Sequence, residues 1–176
     1  MPDDQEYVDF ASFSQKLKDF EFCSQIFLID PVRLRKLDLP LDLQWSRIKF
    51  HKDNLSLVIK KPGVYSFGIV HDNSNLPLHG YILYIGQTKG KIGIKTLRER
   101  MSEYLGEQKR PKRLGTFFFL NQWKDDLVFS YAPVDPTHFD LKQIEAKLND
   151  AVVPPYSVED FSPEIRKMKR IRGYKS

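Results

Sequence analysis

Four groups of side chains in this sequence have the types and spacing to form one chemical site. Tyr65 and Tyr84 lie on neighbouring extended segments, each with a glycine two residues away, and Arg100 precedes Tyr104 by four residues. Glu145 follows much later, at the edge of an apolar helical stripe. A phenol donates and accepts hydrogen bonds, a guanidinium grips oxyanions through its planar fork, and a carboxylate offers hard oxygen donors. Arg100 and Tyr104 project from the same side of a helix. An arginine facing a core must find a partner or open onto a cleft, because its charge is costly to bury alone. Each residue taken singly has a plainer account. Strand tyrosines pack, Arg100 can pair with Glu103 or Glu107, and Glu145 can be solvated beside Lys142 or Lys147. One site explains all of them at once, whereas the plain accounts must be invoked separately.

These residues need elements to position them. Leu55 to Ile59 reads as extended, Lys60-Lys61-Pro62-Gly63 punctuates it, and Val64 to Val70 is a strand rich in aromatic and β-branched residues. Asp72, Asn73, Ser74, Asn75 and Pro77 have the composition of a hairpin loop, and Tyr81 to Ile85 is the returning strand. Thr96 and Glu99 have capping-box spacing, opening a helix whose buried stripe is Leu97, Met101, Tyr104 and Leu105. Gly115 to Leu120 and Leu127 to Val134 read as two more strands. A second helix runs from about Asp140, with Leu141, Ile144 and Leu148 on one side, until Pro154-Pro155 stops it. Upstream, Phe10, Phe13, Leu17 and Phe20 recur at helical spacing, Asp30-Pro31 caps a short helix, and residues 38–54 are irregular or partly extended. Downstream of Glu164, basic residues interleave with Ile165, Met168 and Ile171 as a short basic helix. The expected fold is α+β: a small, mainly antiparallel sheet flanked by helices. Residues 1–54 form an N-terminal helical extension, 55–160 the main domain and 161–176 a basic C-terminal segment.

The ordered elements resemble the GIY-YIG nuclease family. Gly63-Val64-Tyr65 stands at the first tripeptide, Tyr84-Ile85-Gly86 matches the second, and Gln87-Thr88 continues it. The run from Leu97 to Tyr104 is similar to the helix motif in which an arginine precedes a histidine or tyrosine by four. Glu145 is similar to the metal-anchoring glutamate. Ser157 occupies the position where the family commonly carries asparagine, and Asn149, four residues after Glu145, is a spatial substitute.

The resemblance implies metal-dependent hydrolysis of phosphodiester bonds in DNA. Glu145 would hold Mg²⁺ (or Mn²⁺), and Arg100 would hold a non-bridging oxygen as charge builds. Tyr65 would relay the proton from the attacking water, acting as base only if cations such as Lys60, Lys61 and the metal lower its pKa from about 10, or if it passes the proton onward. Tyr84 would orient water or phosphate, and Tyr104 would serve as a second relay or phosphate contact. Lys61 and Ser157 are auxiliary candidates. Lys89, Lys91 and Lys95, around Gly90 and Gly93, are candidate DNA-backbone contacts. The small size suggests a stand-alone nuclease of the restriction or host-defence kind, and cutting both strands of a duplex would favour a homodimer.

Composition agrees with such a protein. The 176 residues are 41% hydrophobic and 29% charged, enough to bury a core. A single cysteine, Cys23, excludes an intramolecular disulfide and any multi-cysteine zinc site, and the four histidines have no ligand spacing. The net charge is +5, and its excess is localised: residues 63–113 hold nine basic against four acidic side chains, and residues 151–176 hold six against three. Segregated positive charge suggests a polyanion partner. With no membrane-spanning run and no apolar signal region, a cytoplasmic protein is expected. Two further readings stay open: a nucleic-acid-binding module of the same fold without cleavage, and a protein-interaction domain whose basic tail meets an acidic partner.

Overall fold

A computed structural model describes residues 27–71, 75, 77, 79–90, 93–110, 113–157 and 161–171. The helix expected over residues 10–20 lies outside the described residues, as does Lys91.

Four strands make one antiparallel sheet in the order β1-β4-β2-β3. They are β1 (Ser46–Lys49), β2 (Gly63–His71), β3 (His79–Gln87) and β4 (Leu127–Pro133). Among the described residues the helices are α1 (Pro31–Arg35), α2 (Leu97–Lys109), α3 (Leu114–Gln122), α4 (Leu141–Val152) and α5 (Pro163–Ile171). This is the α+β architecture expected, an antiparallel sheet flanked by helices. No helix among the described residues is long and apolar enough to cross a membrane.

Strand β2 is interior, paired with β3 on one side and β4 on the other, and it is buried from Gly63 through Ile69. Its alternating side chains feed two cores. Tyr65, Phe67 and Ile69 join Phe129 and Tyr131 of β4 on one face, covered by Leu97, Met101 and Tyr104 of α2 and by Phe119 and Leu120 of α3. Val64 joins Ile85, Ala132 and Val134 against Leu141, Ile144 and Leu148 of α4. The helix periodicity of 141–148 therefore marks the face that covers the sheet.

Where the structure departs from the sequence reading, tertiary packing has overridden local preference. Gly115 to Leu120, expected as a strand from its three phenylalanines, is instead helix α3, which buries Phe119 and Leu120. Leu55 to Ile59, expected to be extended, lies largely in a 3-10 turn spanning Lys52–Leu57. Arg98 holds that turn, donating from Nε to the Val58 carbonyl (2.7 Å) and from Nη2 to the Ser56 carbonyl (2.6 Å). Within the irregular stretch 38–54, residues Ser46–Lys49 pair with β4, so the sheet begins before residue 54. The basic tail is helical as expected, and Ile165 on it packs with Phe161 and Val153.

Candidate active site

The site lies on the aromatic face, where β2, β3 and α2 meet. Both tripeptide glycines are sterically required there. A Cβ on Gly63 would sit 2.1 Å from the Ala132 carbonyl oxygen of the neighbouring strand. Gly86 faces Tyr65 directly across the hairpin, and a Cβ there would lie 2.6 Å from the Tyr65 hydroxyl and 2.9 Å from Cε1 of Tyr84. The second glycine thus makes room for both phenols. Thr88 ties the two tripeptides together: its Oγ1 accepts from the Gly63 amide at 3.0 Å, and its own amide donates to the Gly63 carbonyl at 3.0 Å. It is buried, and both bonds serve the fold.

A register shift between Phe67 and Gly68 marks a bulge, after which Tyr84 opposes Phe67. Two successive residues of β3, Leu83 and Tyr84, thereby both pack against the aromatic cluster. Bulges re-aim side chains in this way beside functional sites.

Helix α2 brings the guanidinium. Its entrance is the expected capping box, with the Thr96 and Glu99 side chains each bonded to the other's backbone. Arg100 donates from Nε (3.2 Å) and Nη2 (2.8 Å) to the Tyr65 hydroxyl, and from Nη1 to Glu103 (2.8 Å). The Tyr65 and Tyr104 hydroxyls are 3.1 Å apart. The Tyr84 ring stands 6.3 Å from that of Tyr65 and 6.1 Å from that of Tyr104. Tyr65, Tyr104 and Arg100 therefore form one hydrogen-bonded group with Tyr84 at its side. The Glu103 pairing foreseen as the plain account of Arg100 is also present, and the one side chain does both.

Exposure differs sharply across the group. Tyr65 is 0% and Tyr104 1% exposed, whereas Tyr84 is half-buried and the Arg100 side chain is 22% exposed. Burial raises the Tyr65 pKa well above its ordinary value, and the neighbouring tyrosines add to this more than Arg100 takes away. Burial, Tyr104 and Glu145 likewise push Tyr84 up. With these neighbours both phenols keep their protons at neutral pH, and Arg100 alone does not supply the lowering that a Tyr65 base would need. Lys60 and Lys61 are exposed. Burial works against the charge on Arg100, but Tyr65, Tyr104 and Glu103 more than offset it, so the guanidinium is firmly cationic.

Glu145 lies on α4, is 6% exposed, and its charge works against ionisation of Tyr84. Asn149, one turn on, is fully buried, and neither its Nδ2 nor its Oδ1 has a hydrogen-bond partner among the described residues. Carboxylate and amide oxygens on one helix face are the hard donors that Mg²⁺ or Mn²⁺ takes, with water completing the shell. No cluster of three or more His, Cys, Asp or Glu side chains able to hold a cation occurs among the described residues.

The remaining candidates are more scattered. Ser157 is buried, and its Oγ accepts from the Ile85 amide at 3.3 Å while the Tyr156 amide donates to the Leu83 carbonyl. The segment after α4 thus seals the outer edge of β3, and Ser157 supports the tyrosine strand from behind. Lys61 gives its carbonyl to the Leu97 amide at the start of α2. Lys95 pairs with Glu103, the same carboxylate that Arg100 uses, and Lys89 is exposed. His71 and His79, read as scattered, oppose each other across the hairpin with ring centroids 5.5 Å apart.

Sequence reasoning missed Arg113 and offered Glu107 only as a partner for Arg100. Arg113 sits with its guanidinium 5.4 Å from the Tyr104 ring centroid and forms a two-pronged pair with Glu107. A fold brings them in: α3 turns back on α2, a step that the strand assignment for 115–120 concealed. The signal was the basic run Lys109-Arg110-Pro111-Lys112-Arg113.

The sequence matches no protein-family model, and no curated protein or solved structure is matched either.

Proposed function

We propose that this protein is a metal-dependent endonuclease that hydrolyses phosphodiester bonds in DNA, similar in its site to GIY-YIG nucleases. The observation that carries the reading is the convergence of Tyr65, Tyr104 and Arg100 in one hydrogen-bonded group, with the Tyr84 ring at its side. A packing role explains two tyrosines but not a guanidinium aimed at a buried phenol.

Arg100 commits three N–H groups to Tyr65 and Glu103, which leaves two of its five for a non-bridging phosphate oxygen. Tyr65 and Glu103 fix the plane of the fork, so the donors are oriented before the substrate arrives. Tyr84, protonated and half-buried, donates its hydroxyl proton to a phosphate oxygen or orients the attacking water. Tyr65, fully buried and protonated, serves by fixing the Arg100 fork, and the proton of the attacking water leaves to solvent. Mg²⁺ or Mn²⁺ held by Glu145, with the Asn149 amide oxygen available nearby, would polarise the phosphoryl group and stabilise the departing 3′ oxygen. Cutting both strands would call on two copies of the chain, and a cytoplasmic setting suits the substrate.

Supercoiled plasmid incubated with the protein and Mg²⁺ tests the reading. Nicking is expected, reduced at least 10²-fold by Arg100→Ala and abolished by Glu145→Ala. A folded wild-type protein that leaves the plasmid intact with both Mg²⁺ and Mn²⁺ removes the nuclease. The complete burial of Tyr65 favours a second reading in that event, a binding module without cleavage, shown by DNA binding without nicking.

A further inference from the structure

We propose that Arg113 is a second phosphate-binding side chain of this site, holding the backbone phosphate next to the one Arg100 holds. The inference rests on the nuclease reading and adds a substrate requirement to it: two successive phosphates rather than one.

The two arginines are mounted alike. Their guanidinium carbons lie 5.7 Å (Arg100) and 5.4 Å (Arg113) from the centroid of the same Tyr104 ring. Each is anchored by a glutamate of α2, Arg100 by Glu103 and Arg113 by Glu107, and these carboxylates are one helical turn apart. Glu107 accepts from Nε at 3.1 Å and from Nη2 at 2.8 Å, leaving both Nη1 protons of Arg113 uncommitted to it. The Glu107 side chain is only 10% exposed while that of Arg113 is 49% exposed. The carboxylate is therefore the buried anchor and the guanidinium the open end. Four of the five residues from 109 to 113 are basic, so the field around Arg113 favours an anion. The Arg113 charge also favours ionisation of Tyr84, against the effect of burial. A stacked, carboxylate-anchored arginine is pre-organised for phosphate in a way that a free lysine is not.

The rival account is a simple ion pair fastening α2 to α3, and salt-dependent binding separates the two. Affinity for a duplex oligonucleotide is measured by fluorescence anisotropy across a salt series without divalent metal, with thermal melts of every variant. The expected result for Arg113→Ala is a slope of log affinity against log salt that falls by about one unit, with several-fold weaker binding. Arg113→Lys should keep the slope. Glu107→Gln breaks the ion pair but spares the cation, so it should keep the slope while lowering the melting temperature. An unchanged slope in Arg113→Ala overturns the inference, as does equal loss of binding in Glu107→Gln and Arg113→Ala. If Arg100→Ala flattens the slope and Arg113→Ala does not, only the second phosphate position falls. If the wild type shows no salt-dependent binding, the nuclease reading falls with it.

Discussion

The two faces of the sheet share the same strands and have opposite characters. Against α4 the contacts are aliphatic: Val64, Ile85, Ala132 and Val134 meet Leu141, Ile144 and Leu148. Against α2 and α3 they are aromatic, with Tyr65, Phe67, Tyr104, Phe119 and Phe129 in mutual ring contact at centroid distances such as 4.8 Å (Phe67–Tyr104) and 5.5 Å (Tyr65–Phe129). Aliphatic side chains end in methyl groups and can only pack. Tyrosines carry a hydroxyl at the far end of an apolar ring, so a tyrosine-bearing core can deliver polar atoms to one place without leaving backbone exposed. The aliphatic face holds the fold, and the aromatic face holds the fold and also sets the Tyr65 hydroxyl between a guanidinium and the Tyr104 hydroxyl.

That contrast breaks most visibly in stability. Ile144→Ala, at a position 1% exposed on the aliphatic face, should cost about 2–5 kcal/mol in denaturant unfolding. Any nicking activity per folded molecule should be unchanged. A loss of activity in the folded fraction would mean that the cavity shifts Glu145, the next residue on α4.

Gly86→Ala sharpens the contrast from the other side. Its methyl group would press on the Tyr65 hydroxyl and the Tyr84 ring, an overpacking expected to cost about 1–3 kcal/mol. The activity of the folded fraction should fall here, unlike in Ile144→Ala. Retained activity would show that the spacing of the two phenols does not matter.

The smallest effect is in alkaline solution. The folded Tyr65 and Tyr84 have raised pKa values, so the folded state binds their protons more tightly than the unfolded chain does. Their contribution is fully present below the ordinary tyrosine value of about 10 and is lost as pH rises beyond it, through the range between the unfolded and folded values. Melting curves of the wild type should weaken above that pH, and Tyr65→Phe should weaken less steeply. Parallel decline in both proteins would remove Tyr65 as a source of the effect.

Local signals foretold the parts of this molecule that local physics governs. The capping box at Thr96 and Glu99, the helix carrying Arg100 and Tyr104 on one side, and the apolar stripe of α4 all formed as their spacing required. The hairpin bearing Tyr65 and Tyr84 formed as well, because alternation and turn composition act over short range. The aromatic run 117–119 misled, since phenylalanine favours strands only where a sheet has room for one. Here the interior strands were already paired, and a helix buried Phe119 and Leu120 more fully.

By itself, the sequence determined which side chains were available and on which local element each would ride, because capping, periodicity and turn chemistry depend on neighbours a few residues away. Only the tertiary structure decided what those side chains became. Burial turned Tyr65 from a candidate base into a protonated hydrogen-bonding partner. The turn of α3 onto α2 set Arg113 beside Tyr104, and the strip after α4 made Ser157 a seal on the edge of β3. Desolvation and long-range approach belong to the packed chain as a whole, and no short window of residues carries them.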